Sequence, residues 1–133
     1  MTNKELSQIY YLKKEMKFII ERLEELQTRA TKVTSNISAQ PTGSGGFAGA
    51  SFENNVDKRI ELEKRLAELK QRINTETLRI QDYIYNIDDS LMRMIITLRC
   101  INCYSWVKVA MTIGGNNTAD GVKMMYHRYI RNH

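Results

Sequence analysis

The chain has 133 residues and a mass of 15.5 kDa, which allows about one compact domain and excludes a large two-domain enzyme. Hydrophobic residues make up 42% and charged residues 26%, as in soluble folded proteins and unlike disordered, fibrous or membrane proteins. Residues 1–89 carry 14 basic and 14 acidic side chains, whereas residues 90–133 carry six basic and one acidic, so the whole net charge of +5 lies in the last third. This asymmetry predicts a structural part followed by an anion-binding part.

The first segment has apolar residues at alternating steps of four and three. They are Leu12, Met16, Ile19, Leu23, Leu26, Ala30 and Val33. Charged residues fill most of the positions between them, so a single apolar stripe would face a partner helix while the rest stays solvated. The spacing predicts a coiled-coil helix over residues 1–33.

Residues 34–56 lack this spacing and are rich in Ser, Gly, Asn and Ala. The composition predicts a flexible linker. As a random coil, a segment of this length reaches roughly 26 Å, which exceeds the spacing of about 10 Å between packed helices. The linker would therefore allow the chain to turn back on itself.

A second heptad pattern follows, in which Leu66, Ile73, Ile80 and Ile87 are each seven residues apart. With no Pro or Gly in this part of the chain, residues 57–97 are predicted to form one long coiled-coil helix. The predicted fold is thus all-α: a long antiparallel coiled-coil helical hairpin followed by a C-terminal helix-turn-helix. The first helix covers only part of the second, so the remaining apolar surface must meet either the C-terminal module or a second chain. A homodimer is the favoured expectation.

Residues 98–133 contain shorter helical units. Ser105 is a suitable N-cap for a helix that buries Trp106 and Val109, and Gly114 ends it. Thr118 is the next plausible cap, for a helix that buries Val122. Two short helices joined by a glycine turn are typical of a helix-turn-helix.

The second of these helices would expose a basic face opposite Val122. In a helix-turn-helix this helix enters the major groove of duplex DNA, where Arg and Lys contact guanine edges or phosphates. The Asp120 carboxylate could accept a hydrogen bond from a cytosine amino group. The favoured interpretation is that it complements the positive end of the helix dipole. The predicted DNA-binding residues are Asn117, Thr118, Lys123, Met124, His127, Arg128 and Arg131.

The runs LRCINCYSWVKVAMTIGG and VKMMYHRYI resemble the C-terminal helix-turn-helix of sigma-factor region four. The matching positions are Leu98, Arg99, Ser105, Trp106, Ala110, Gly114, Val122, Lys123 and Arg128. Together with the heptad hairpin in front, the chain is similar to small phage regulators of the RinA and ArpU type. The resemblance, which covers about a quarter of the chain, implies a phage-encoded transcription regulator in the host bacterial cytoplasm.

Two departures from the sigma pattern affect the expected recognition geometry. Cys100 stands where an aromatic residue is usual, and the segment from Gly114 to Val122 is about two residues longer than the sigma turn. The extra residues place Asn117 and Thr118 near the start of the second helix, where a phosphate can bind. These two residues are therefore candidate contacts to the DNA backbone.

Other chemistry finds little support in the sequence. Cys100, Cys103, His127 and His133 have a spacing unlike that of zinc fingers. The presence of only two cysteines fits a reducing compartment. No phosphate-binding loop, nucleophile elbow or metal-binding helix motif is present, so we expect neither an enzyme, nor a cofactor, nor a bound metal. No secretory signal or membrane span is evident, which predicts a cytoplasmic protein without a membrane partner.

Two alternatives to a DNA-binding regulator stay open. The first is a coiled-coil adaptor that binds RNA polymerase or another protein without contacting bases. The second is a DNA-packaging or architectural accessory that uses the same module without reading a sequence. The target sequence, the number of subunits and the choice between activation and repression are not predicted.

Overall fold

The computed structural model describes the backbone of residues 1–39 and 45–133, and the side chains of residues 1–29 and 54–133. The described residues contain helices and no strands, which confirms the all-α prediction. The α-helices are α1 (Asn3–Leu6), α2 (Gln8–Ala39), α3 (Gly45–Tyr85), α4 (Ser90–Ile96), α5 (Trp106–Ile113) and α6 (Ala119–Asn132). A π-helical turn, Thr97–Ile101, continues directly from α4.

Helical backbone extends into the segment predicted as a linker. Residues 34–39 belong to α2 and residues 45–56 to α3, while the rest of the predicted linker, residues 40–44, lies outside the described residues. A formed helix adds each further residue at little cost, so a long helix propagates into neighbouring residues of modest propensity. This cooperative extension is not visible in composition alone.

The predicted long helix of residues 57–97 is not continuous, because α3 ends at Tyr85 and α4 begins at Ser90. The Asp89 carboxylate caps α4 by accepting hydrogen bonds from the backbone N–H groups of Leu91 and Met92. Arg93 donates to the carbonyl oxygens of Ile87 and Asp88 and so satisfies backbone acceptors within the break. Asp favours a cap over a helix interior, and this preference overrides the heptad pattern.

The chain forms two compact units. Unit 1 consists of residues 1–13 and 72–133, and unit 2 consists of residues 14–71. The module predicted to start at residue 98 is therefore part of a larger body that includes the N-terminus and the end of α3.

Unit 1 is built around an apolar core to which all of its helical segments contribute, including the start of α2 and the end of α3. Its buried residues are Leu6, Ile9, Ile80, Ile84, Ile87, Met92, Ile95, Ile96, Cys100, Val109, Ala110, Val122 and Tyr126. Burial of apolar surface at about 25 cal/mol per Å² makes this core the main source of the unit's stability. α5 and α6 are thus fixed to the helices on which they rest.

In unit 2, α2 and α3 lie side by side. The guanidinium of Arg65 is 3.4 Å from the carboxylate of Glu15, although 50 residues separate them in sequence. A continuous helix of that length would hold them about 75 Å apart, so α3 must return along α2. Ile19, Leu26 and Leu69 are buried in this unit.

None of the described helices combines the length and the apolar character needed to cross a bilayer.

Candidate nucleic-acid interface

Both C-terminal helices begin at the residues predicted to cap them. The Ser105 hydroxyl accepts a hydrogen bond from the Lys108 backbone N–H at 3.2 Å, and the Thr118 hydroxyl accepts one from Gly121 N–H at 3.0 Å. Each cap satisfies a backbone donor that has no partner within its own helix. The side-chain oxygen of Thr118 is therefore used in starting α6.

The turn between α5 and α6 depends on glycine. Gly114 and Gly115 have φ values of 75° and 66°, a region that other L-residues rarely adopt. The Asn117 side-chain amide donates to the Gly114 carbonyl oxygen at 3.0 Å and closes the turn. Asn117 and Thr118, predicted as backbone contacts to DNA, thus both have a defined role in shaping the turn.

One face of α6 is buried in the core of unit 1. Val122 is completely buried, and Tyr126 retains only 3% of its exposure. The Tyr126 ring packs at 5.2 Å from the Trp106 ring of α5, and both contact the same core. This packing fixes the rotation of α6 about its own axis and hence decides which residues face outward.

The opposite face of α6 is exposed. A shallow groove of about 550 Å³ runs along it. The residues lining it are Asp120, Lys123, Met124, His127, Arg128 and Arg131. We call these six residues the α6 face. The structure thus brings together five of the seven predicted site residues, with Asn117 and Thr118 in the adjoining turn.

The α6 face is predominantly cationic. Lys123, Arg128 and Arg131 carry three positive charges, against one negative charge on Asp120 in the first turn of the helix. A carboxylate at that end of a helix complements the positive end of the helix dipole. Met124 is the apolar exception and is 62% exposed. The arrangement can hold an anionic surface while presenting one apolar group to it.

Aromatic packing positions His127 at the edge of this face. Its ring lies 5.2 Å from Tyr126 in an edge-on arrangement and 6.2 Å from Trp106. His127 is nevertheless exposed to solvent. His127 is therefore held in place by its contacts with the rings of Tyr126 and Trp106.

The N-terminus contacts α6 and the π-helical turn, which the sequence patterns do not predict. The Tyr126 hydroxyl donates a 2.9 Å hydrogen bond to the Asn3 side-chain oxygen, and the Lys13 ammonium donates to the Ile101 carbonyl oxygen at 3.1 Å. Thr2 and Glu5 form a capping box that starts α1. A Thr followed three residues later by Glu is a recognisable helix-start signal, so α1 could have been placed from the sequence. The docking of α1 against α6 could not be predicted from the sequence.

Arg99 is a second residue outside the predicted site. Its guanidinium donates to the Tyr104 carbonyl oxygen at 2.7 Å and lies 4.6 Å from the centre of the Trp106 ring. Planar guanidinium groups stack favourably on aromatic faces. The contacts hold Arg99 beside α6, where its positive charge adds to that of Lys123.

The two cysteines belong to the structural part of unit 1. Burial raises the pKa of the Cys100 thiol to about 11, and burial also raises the pKa of Cys103. A raised pKa disfavours the thiolate that metal binding or redox chemistry requires. Among the described side chains, no group of three or more His, Cys, Asp or Glu residues is arranged to hold a metal ion.

Comparison of the chain with protein-family models, with curated proteins and with solved structures gives no match.

Proposed function

We propose that α5, the glycine turn and α6 form a helix-turn-helix that binds duplex DNA, with α6 as the recognition helix. The observation that carries this proposal is the α6 face, where Lys123, Arg128 and Arg131 are exposed while Val122 and Tyr126 anchor the opposite side. A helix exposed on one face and supported on the other can enter the major groove, where Arg and Lys contact base edges and phosphates.

The sequence resemblance supports the same function. The sigma-like residues Ser105, Gly114 and Lys123 fall respectively at the start of α5, in the turn and on the α6 face. We therefore propose a phage-encoded transcription regulator of the RinA or ArpU type, acting in the host cytoplasm.

We also propose that the long helices form a coiled-coil homodimer. Large apolar side chains are exposed in both units: Phe18 and Ile60 in unit 2, and Leu78 and Tyr85 in unit 1. A second copy would remove this apolar surface from water. Two copies of the recognition helix would then read two half-sites of the DNA.

The proposal is tested by selecting duplexes from a randomised pool with the purified protein, with its mass measured by light scattering. A recurring motif in two half-sites and a dimeric mass support a sequence-specific regulator. Arg128→Ala should then weaken binding to the selected duplex by about 1 to 3 kcal/mol, or roughly 5- to 150-fold. Arg72→Ala, which removes an exposed charge from α3, is the matched control and should leave affinity unchanged.

Absence of binding at about 50 mM salt, where phosphate contacts are strong, would refute DNA binding. Salt-sensitive binding without a preferred sequence would instead favour the architectural or packaging role. If the folded Arg128→Ala variant binds the duplex as tightly as the wild-type protein, Arg128 is not part of the interface.

A second candidate function is an adaptor that binds RNA polymerase or another protein. Val107 and Met111, one turn apart on α5, are exposed, and Met111 is 76% exposed. Adjacent exposed apolar groups are a common feature of protein contacts. Binding of purified bacterial RNA polymerase that is lost in Met111→Glu, but retained in Arg128→Ala, would favour this function.

A further inference from the structure

A second groove of unit 1 lies beside the α6 face and has a volume of about 440 Å³. The N-terminal residues, the π-helical turn and the C-terminal helices all contribute to it. Its lining residues include Asn3, Ser7, Tyr11, Arg99, Lys123 and His127. We call this the N-terminal cleft.

The charge of the N-terminal cleft suits an anion. Arg99 and Lys123 supply two permanent positive charges, and no carboxylate is among the lining residues. Asn3, Ser7 and Tyr11 add polar side chains from the N-terminal part of the chain. Hydroxyl, amide and guanidinium groups of this kind provide most protein contacts to the phosphates of DNA.

Arg99 is preorganised in this cleft. Its hydrogen bond to the Tyr104 carbonyl oxygen and its stacking on Trp106 restrict the rotation of a side chain that is otherwise flexible. Since little rotational freedom remains to be lost, an anion that binds Arg99 pays a smaller entropic cost. A planar guanidinium is also well matched to phosphate oxygens.

The aromatic walls do not favour insertion of a base. Trp106 and Tyr126 are already in contact with each other at 5.2 Å and tilted by 58°, so they do not form a parallel-sided slot. Tyr10 and Tyr11 likewise pack edge to face at 5.3 Å. The rings therefore act as packed walls, and the groove is better suited to a backbone group.

The cleft is continuous with the α6 face, because Lys123 and His127 line both grooves. We propose that the N-terminal cleft binds a phosphodiester group of the strand flanking the major groove that α6 occupies. This inference rests on the proposed function and deepens it, since it makes the N-terminal residues part of the DNA interface. Arg99 and Lys123 supply the charge, and Tyr11 lies at the exposed side of the cleft.

Phosphate ethylation interference on the selected duplex tests this proposal with the full-length protein. Ethylation neutralises one phosphate at a time and reports which of them the protein contacts. In the wild-type protein we expect interference at a phosphate outside those contacted by the α6 face. Arg99→Gln should abolish that one signal, retain the others, and reduce the slope of log affinity against log salt by about 0.9.

Arg99→Gln also removes a structural contact with the Trp106 ring, so a loss of binding in that variant could reflect a change in the fold. A second variant therefore tests the cleft without removing this contact. Tyr11→Glu introduces a negative charge at an exposed position of the cleft and should weaken duplex binding about tenfold at low salt, as repulsion of a nearby phosphate would. Thr28→Glu introduces the same charge at an exposed position of α2 in unit 2 and should bind as the wild-type protein does.

The outcomes separate this inference from the proposed function. Failure of the wild-type protein to bind any duplex would refute both. Sequence-specific binding by the wild-type protein, with unchanged affinity and interference in folded Tyr11→Glu, would overturn the cleft proposal alone. An equal loss of duplex affinity and of ethylation interference in Thr28→Glu would also overturn the cleft proposal, because the effect of Tyr11→Glu would then come from the overall charge of the protein.

Discussion

The hydroxyl of Tyr126 donates a 2.9 Å hydrogen bond to the side-chain oxygen of Asn3 and so joins residues 123 positions apart in the chain. The same hydroxyl lies 3.8 Å from the thiol of Cys100, so it is the meeting point of α1, α6 and the π-helical turn. Burial raises the pKa of Tyr126, which stays protonated and can act as a donor. The N-terminus therefore helps to hold the exposed helix in position.

Tyr126→Phe should lower the free energy of unfolding by about 1 kcal/mol. The substitution removes this donor while retaining the ring that packs against Trp106. Asn3 is exposed, so water can satisfy its oxygen and the loss stays modest. Urea unfolding followed by circular dichroism measures the change. Tyr85→Phe is the control, since Tyr85 is 83% exposed, and a similar loss there would contradict the assignment.

The lowered pKa of Glu5 predicts that the protein loses stability in acid. Hydrogen bonds from Thr2 and then Arg79 lower the pKa of Glu5 from 4.5 to about 2. Since the pKa in the folded state is below that in the unfolded chain, the ionised carboxylate stabilises the fold above about pH 4.5. This contribution decreases as the pH falls and is lost below about pH 2.

The Glu5→Gln variant isolates this contribution. Its difference in unfolding free energy from the wild-type protein should be largest near pH 6 and should shrink between pH 4.5 and 2, as measured by urea unfolding at several pH values. Glu68→Gln removes an exposed carboxylate from α3 and serves as the control. A difference for Glu5→Gln that is constant with pH would show that the capping box does not depend on the charge.

Burial of the cysteines predicts slow alkylation of the native protein. The pKa of Cys100 is raised to about 11, so little thiolate exists at pH 8, whereas Cys103 is more accessible. Iodoacetamide should therefore modify Cys103 before Cys100, and both should react rapidly in urea. Mass spectrometry of the digested protein follows each site. Faster modification of Cys100 would contradict its burial in the core.

The C-terminal helices are predictable from the sequence because N-caps and glycine turns depend only on residues that are close together in the chain. Ser105 and Thr118 are caps in the structure, and Gly114 adopts the positive φ expected of a residue ending a helix. The burial of Val122 followed from helical spacing, and it determined which residues form the α6 face. The exposed cations could therefore be placed from the sequence.

Long-range docking could not be predicted in this way. Nothing in the spacing of Asn3 or Lys13 indicates contact with Tyr126 or Ile101, because these partners are close only after the chain has folded. The break before Ser90 was missed for another reason: a continuous heptad pattern outweighed the cap signal of Asp89. An apolar pattern shows which face is buried, but it does not show that the backbone is continuous.

Arg131→Ala should reduce the salt dependence of duplex binding. Arg131 lies at the last turn of α6 on the exposed face, where contact with a phosphate fits better than contact with a base. Losing one phosphate contact should lower the slope of log affinity against log salt by about 0.9, with a similar effect on every sequence. Fluorescence anisotropy from 50 to 300 mM salt measures the slope. A change of sequence preference without a change of slope would place Arg131 against a base.

Met124 is predicted to contact a thymine methyl group. It is the apolar member of the α6 face, and an exposed apolar side chain among cations gains from contact with an apolar group in the major groove. Replacing thymine by uracil removes only that methyl group. At one position of the selected duplex, this replacement should weaken wild-type binding about fourfold, as expected for about 0.8 kcal/mol per buried carbon.

The Met124→Ala variant decides whether the lost contact involves Met124. If the methyl group packs against this side chain, the variant should bind the thymine and uracil duplexes equally, because the pairwise interaction is absent in both complexes. Met111→Ala is the matched control, since it shortens the same type of side chain at an exposed position of α5 and should preserve the fourfold ratio. An undiminished ratio in Met124→Ala would mean that another residue reads the methyl group, and α6 would then lie in the groove with a different rotation.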